Sequence, residues 1–415
     1  MSRRVVITGI GLLSPAGNTP EEFWGNCLEG RSGIDVITAF DTSEYPTRIA
    51  GEVRNFDPEA YIDPKLAKRA DRYCQFALAA AGMALKDAGF KGLVPLPEEL
   101  RERTAVIVAS GIGGMMTFEE THALLLERGP RRVSPFFVPM LISDIAAGMI
   151  SIETGAMGPN FAVVTACATS THCIGEAAQK IRLGLADMAI AGGAEATIIP
   201  SALAGFSAAK ALSRRNEEPK RACRPFDRDR DGFVMAEGGA VVVLEEMELA
   251  RSRGAKIYGE LIGYGASGDA YHITAPRPDG AGAVLAMRWA LEEGGLEPSE
   301  LDYINAHAPG TQDGDAMEAK ALETLLGDDG PSVAVSSTKP IHGHMLGATG
   351  AAELIVCILA IRDGVVPPNI NCENPEWEFG FDLVRDQPKR KQVRVAMTNS
   401  FGFGGHNAVL VVRVA

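Results

Sequence analysis

Short β-branched, apolar runs alternate with Ala- and Gly-rich stretches of helical period along nearly the whole chain. The clearest strands are predicted over Arg4–Thr8, Thr104–Ala109, Phe161–Thr165, Met188–Ala191, Ala240–Glu245, Ile257–Tyr264, Tyr303–Ala306, Ala334–Ser336, Val393–Thr398 and Ala408–Val412. Helices are predicted over Glu21–Leu28, Pro64–Asp87, Ser170–Leu183, Ala281–Gly294, Asp315–Leu326 and Gly350–Arg362. Strands that read as unbroken apolar runs between helices imply sheets covered on both faces, so the fold class is α/β. The best boundary is the charged stretch Glu246–Lys256, which divides the chain into parts 1–250 and 251–415. The parts echo each other weakly. Phe161–Thr165 and Val333–Ser337 each lead through small residues into a helix. A duplication would bring both turns to one central site, although the same unit recurs in all α/β proteins.

Composition adds bounds to this picture. The 415 residues are 46% hydrophobic and 22% charged, enough apolar material for a large core. A net charge of −13 argues against nucleic acid as the principal partner. The seven cysteines include no C-x-x-C pair and no Cys/His cluster with zinc spacing, so no metal is assigned. No apolar run approaches the ~18 residues of a spanning helix, which excludes a membrane role for these segments. The Met-Ser-Arg-Arg opening enters a strand directly, without a signal-peptide pattern. The expectation is a reduced, cytoplasmic setting.

Candidate chemistry sits where strands end. Cys167 follows the run from Phe161 and precedes Thr169, Ser170 and Thr171 at a helix start. Unpaired N–H groups there favour a thiolate and predict a lowered pKa. His307 ends the strand beginning at Leu301, and His344 lies between a strand and an apolar helix. A Cys with one His and an acid would fit a hydrolase. Two histidines donating to one developing oxyanion fit carbon–carbon chemistry through an enolate.

Five segments occur in order: Thr165-Ala-Cys-Ala-Thr-Ser, Asn305-Ala-His307, Ser337-Thr-Lys339, Gly343-His-Met-Leu-Gly-Ala, and Asn399-Ser-Phe-Gly-Phe-Gly-Gly405. Together with Arg4-Val-Val-Ile-Thr-Gly-Ile-Gly and Arg224-Pro-Phe-Asp-Arg-Asp-Arg-Asp-Gly-Phe, this set resembles the β-ketoacyl-acyl-carrier-protein synthases of the type II elongation kind. The resemblance spans essentially the whole chain. It implies a thiolase-like five-layer αβαβα fold of two similar halves, a homodimer, and an acyl-carrier protein as partner. Cys167 would take the acyl chain, and His307 and His344 would stabilise the malonyl-derived enolate. The N–H groups of Cys167 and Phe403 would form an oxyanion hole, with Lys339 as an electrostatic organiser. Thr274, Thr311, Ile112, Phe206 and Phe401 would contact substrate, and Asp315, Glu318 and Glu353 would brace the loops. The resemblance implies no resident cofactor, because the phosphopantetheine arm arrives on the carrier. Asn305, Glu353, Asn399 and Ser400 match positions where some relatives hold a structural cation, with no catalytic role assigned.

One departure stands out. Pro309 occupies a position where the family usually has a threonine that helps hold the pantetheine arm, and proline removes a hydroxyl and a backbone donor. His406 also replaces the commoner threonine. Lys65, Lys68 and Arg72, at i, i+3 and i+7 of one expected helix, form a candidate carrier-docking surface with Arg131, Arg132 and Lys210. The rival readings are a ketosynthase of a polyketide or specialised lipid pathway, and a non-catalytic chain-length subunit, which would lack the cysteine. A thiolase would need a cysteine nearer the C-terminus than Cys372. The Gly9-Ile-Gly11 and Gly111-Ile-Gly-Gly114 runs do not complete a dinucleotide fingerprint.

Overall fold

A computed structural model describes residues 3–415. Ten strands form its main sheet: β1 (Val5–Leu13), β2 (Thr104–Ala109), β3 (Met188–Glu195), β4 (Gly238–Glu246), β5 (Gly259–Gly268), β6 (Tyr303–Asn305), β7 (Ala334–Ser336), β8 (Asp382–Leu383), β9 (Val395–Gly402) and β10 (His406–Arg413). Their spatial order is β8-β7-β6-β9-β10-β5-β1-β4-β3-β2. The join between β1 and β5 has only two registered pairs, Val6 with Glu260 and Ile7 with Gly259, so the sheet behaves as two leaves sharing a seam.

The long helices that cover these leaves include α1 (Pro20–Glu29), α2 (Arg72–Asp87), α3 (Thr169–Arg182), α4 (Ala281–Gly294), α5 (Gln312–Leu326) and α6 (Thr349–Asp363). Apolar residues of α3 and α6, such as Ile174, Ile181, Leu354 and Ile358, meet inward-facing strand residues in a central core. Tyr73, Phe76 and Leu78 of α2 fill a second core on the outer face of one leaf. Ala283, Met287 and Leu322 of α4 and α5 fill a third on the other. Helix, sheet, helix, sheet, helix is the five-layer thiolase-like α/β arrangement, produced by burying three separate apolar helix faces.

The turns entering α3 and α6 are built alike. Each is a one-turn 3₁₀ segment, Ala166–Ala168 or Leu346–Ala348, running directly into the long helix. Each starts on a non-glycine residue at positive φ, Ala166 at 51° and Leu346 at 44°. Such backbone is strained and persists only where the surroundings fix it.

Two expectations fail. Phe161–Thr165 is extended but lies outside the ladder, touching β2 only through a bridge between Asn160 and Val106. The expected helix over Pro64–Asp87 is broken into Pro64–Ala67 and Arg72–Asp87. Asp63 caps the first piece, and Asp71 caps the second by accepting from the Tyr73 N–H. An N-cap aspartate inside the run restarts the helix, which its apolar period alone conceals.

Candidate active site

The two like turns converge on one cavity of about 240 Å³. Cys167, His307, His344, Phe401 and Phe403 line it, and so do Thr274, Thr311, Ile112, Phe206 and Pro309. Cys167 stands at the start of α3, on the turn opened by Ala166. Its own N–H and that of Phe403 both favour charge on the sulfur. Gly402 permits close packing on this turn, since a Cβ there would lie 2.7 Å from the Thr165 carbonyl and 3.2 Å from the Cys167 nitrogen.

Contrary to the sequence expectation, the resting group is a thiol. Burial pushes the Cys167 pKa up to about 12, outweighing the pull of Lys339 and the two N–H groups, while the Glu195 carboxylate adds to the rise. A helix start favours charge, but desolvation disfavours it more strongly here.

His307 and His344 are buried, with ring centroids 5.3 Å apart at 81°. Both are held neutral, far below the ordinary histidine range. Burial is the main cause and the Lys339 ammonium the next. His344 Nδ1 pairs with the Thr349 hydroxyl at 3.1 Å, and its ring packs edge-on to Phe233. The backbone at His307 is fixed by Glu318, whose two oxygens accept from the N–H groups of His307 at 2.9 Å and Ala308 at 2.6 Å. Asn399 donates to the same carboxylate. Asp315 accepts from Gly310 and Phe226, closing the loop that carries Pro309 and Thr311.

Lys339 lies behind the cavity wall. Its Nζ donates to Glu353 at 2.5 Å, and neither side chain is exposed. Burial pushes Glu353 up and Lys339 pulls it down. Among the described residues, no group of three His, Cys, Asp or Glu side chains has metal-binding geometry. Sequence reasoning missed Glu195, fully buried on the cavity wall, although a lone acid ending an apolar strand was visible in Ala191-Gly-Gly-Ala-Glu.

The basic groups divide. Lys65, Lys68, Arg131, Arg132 and Lys210 are exposed, and Lys210 adjoins Ala211 of the cavity lining. Arg72 does not belong with them. It makes a two-pronged pair with buried Glu237, at 2.8 and 2.7 Å, and packs over Phe76, so its guanidinium is already spoken for.

Comparison with known proteins decides the family. The beta-ketoacyl synthase N-terminal domain family matches residues 2–250, and its C-terminal counterpart matches residues 258–373. The chain belongs to the β-ketoacyl synthase family. It is 50% identical over 412 residues to the 3-oxoacyl-[acyl-carrier-protein] synthase 2 of Staphylococcus aureus, covering 99% of this chain and 98% of the relative. A beta-ketoacyl synthase from Burkholderia phymatum superposes with a TM-score of 0.92 at 31% identity, with both chains fully covered. A type II PKS ketosynthase, solved in complex with its acyl-carrier protein and bound to the hexaketide, matches over the full length of both chains with a TM-score of 0.90 at 31% identity. The protein is thus a condensing enzyme of the acyltransferase class on the thiolase fold. Among the described residues, no helix is long and apolar enough to cross a membrane.

Proposed function

We propose that this ketosynthase joins an acyl group on Cys167 to malonyl-acyl-carrier protein, giving a β-ketoacyl-carrier protein in fatty acid elongation. The convergence of Cys167, His307 and His344 on one largely apolar cavity, with two N–H groups that favour charge on the sulfur, carries the reading. The Cys167 sulfur attacks the acyl-carrier thioester, and its proton leaves with the carrier thiol. The N–H groups of Cys167 and Phe403 hold the oxyanion during this transfer. The malonyl thioester oxygen then accepts from His307 and His344. Carbon dioxide departs, and the enolate carbon attacks the Cys167 thioester, forming the new carbon–carbon bond. Collapse of the tetrahedral oxyanion breaks the carbon–sulfur bond, and the released thiolate takes a proton from solvent to restore the thiol.

Neutral imidazoles suit this role, because each supplies an N–H without placing a second cation beside Lys339. For a neutral His344 to donate from Nε2, Nδ1 must accept from the Thr349 hydroxyl, which lies 3.1 Å away. Lys339 acts through its charge rather than as a nucleophile, since Glu353 already holds its ammonium. Thr311, Thr274 and Pro309 contact the pantetheine arm, Ile112, Phe206 and Phe401 contact the acyl chain, and Asp315, Glu318 and Glu353 hold the loops in place. Sequence residues 1–250 supply the nucleophile, and 251–415 supply the histidines.

The arm arrives on an acyl-carrier protein, and Lys210, beside the cavity lining, is the strongest docking candidate. Lys65, Lys68, Arg131 and Arg132 form a second basic area, linked where Arg69 stacks on Phe136 at 4.6 Å. A homodimer is supported by the unpaired edge at Phe161–Thr165 and by the exposed apolar residues Phe118, Leu126, Val138 and Val164. All seven cysteines are free, which supports a reducing, cytoplasmic setting. Intact mass after incubation with acyl-carrier proteins of graded chain length tests the reading. An acyl adduct should appear on the wild type and vanish in Cys167→Ser; an adduct that maps to another cysteine would overturn it.

A further inference from the structure

Glu195 is the buried ionisable group that the mechanism above leaves idle. It is the last paired residue of β3, opposite Gly238 of β4, and its side chain turns toward the cavity wall. Four donors converge on its carboxylate. Oε2 accepts from the N–H groups of Gly111 and Gly347, each at 3.0 Å. Oε1 accepts from the Ser110 hydroxyl at 2.5 Å and, at 3.3 Å, from the Ile112 N–H. Ser110 Oγ in turn accepts from Gly113 at 2.7 Å.

These donors belong to two loops far apart in sequence. Ser110–Gly113 follows β2 and carries Ile112, a wall of the acyl cavity. Gly347 lies three residues after His344, on the turn that feeds α6. The loops touch closely at their glycines. A Cβ on Gly347 would lie 2.5 Å from the Gly111 nitrogen and 2.8 Å from Glu195 Oε2. A Cβ on Gly111 would lie 2.8 Å from the same oxygen and 3.1 Å from the Ala166 carbonyl, beside the nucleophile. A carboxylate oxygen shared by two backbone N–H groups, with no room for other atoms, fixes both loops in a single geometry.

We propose that Glu195 is a positioning residue that locks the acyl-cavity wall at Ile112 to the His344 turn, and holds a negative charge against Cys167. It rests on the condensing reading given above. Glu195 and Cys167 line the same cavity together with His307 and His344, and the charges of Lys339 and Glu195 act on the thiol in opposite senses. Burial lifts the Glu195 pKa to about 7 against the pull of its hydrogen bonds, so the charge is present on the alkaline side of neutrality. There it opposes ionisation of the thiol, in the sense opposite to Lys339.

The test uses Glu195→Gln and Glu195→Ala in the full-length enzyme. The glutamine oxygen can keep the Gly111 and Gly347 bonds while its amide donates to Ser110, so it restores the clamp without the charge. Alkylation of Cys167 by iodoacetamide at about pH 8 should be at least roughly threefold faster in both variants, because the opposing charge is gone and one pKa unit is tenfold in thiolate. The condensation kcat should fall at least about tenfold more in Glu195→Ala than its own acylation rate does, with a changed order of preference among acyl chain lengths. Glu195→Gln should recover most of that loss. Unchanged alkylation in both variants would overturn the electrostatic part. Equal losses in both, tracking only the melting temperature, would overturn the clamp. Alkylation needs neither carrier nor malonyl donor, so these failures are distinct from a wild-type enzyme that fails to condense.

Discussion

Replacing Lys339 by methionine tests how the site's charge is organised. Both partners of the Lys339–Glu353 pair are sealed from solvent, and Glu353 Oε2 has no other partner. Removing one partner of such a pair costs about 3–5 kcal/mol, because a buried charge is left uncompensated. Glu353 has an escape, which is to take up a proton. Its folded-state pKa is raised by burial, and losing Lys339 raises it further. A raised acid is most favourable to the fold when protonated, so its contribution is lost as pH rises through the folded pKa. The deficit of Lys339→Met relative to wild type should therefore be small near about pH 6 and grow toward about pH 8.5, by at most ~1.4 kcal/mol per pH unit. Guanidinium unfolding midpoints of both proteins, measured across that range, give the difference directly. Buried acids that Lys339 does not act on cancel in the comparison, and Glu318 shifts in the same direction as Glu353. Lys339→Met with Glu353→Met should regain most of the stability. Iodoacetamide alkylation of Cys167 should meanwhile slow, since the cation that pulls the thiol pKa down is gone. A deficit independent of pH, or a double variant no better than the single one, would refute this account.

Three further outcomes are expected. His307→Ala and His344→Ala should each slow malonyl decarboxylation by roughly 3–4 kcal/mol of barrier while sparing acylation of Cys167; equal loss of both steps, read by intact mass and carbon dioxide release, would favour a hydrolase-like Cys–His pair. Pro309→Thr should lower the apparent KM for a generic acyl-carrier protein several-fold, the worth of one neutral hydrogen bond of about 0.5–1.5 kcal/mol. A dedicated carrier that binds worse after the change would show that the proline shapes the loop for it. Lys210→Glu should raise the carrier KM in a salt-dependent way, whereas Arg72→Met should lower the melting temperature and leave that KM alone, because Arg72 is committed to Glu237.

Most of the frame was legible in the alternation of apolar runs. Ala281–Gly294 was placed without error, and the other expected helices within about three residues, apart from the one Asp71 restarts, whereas the helices Met115–Arg128 and Ile145–Thr154 were not foreseen. The segment Phe161–Thr165 misled because β-branched composition marks a strand but cannot say whether a neighbour pairs with it. Arg72 was misjudged for a related reason. Its helical position was read from an uninterrupted period, and its true partner, Glu237, lies 165 residues away. As neighbours in one cavity, Cys167, His307 and His344 were legible because each lies where an apolar run gives way to a glycine- or hydroxyl-rich turn. The charge state of Cys167 was not, since desolvation depends on everything packed around the sulfur. Glu195 escaped notice because its four donors come from two loops far apart in sequence.

The strand β10 is the tenth of its sheet in chain order, yet it fills a central slot between β5 and β9. The turn that precedes it carries Phe403 to the cavity and packs Gly402 against the Cys167 backbone. During synthesis Cys167, the proposed nucleophile, is therefore made more than 200 residues before Phe403, its proposed oxyanion donor. Until β10 inserts, two sheet edges stay open and need protection from pairing with other chains. A nascent or clipped chain holds a cysteine without the means to stabilise a tetrahedral intermediate. Chemical competence thus arrives together with closure of the sheet, and a half-made enzyme cannot trap acyl groups.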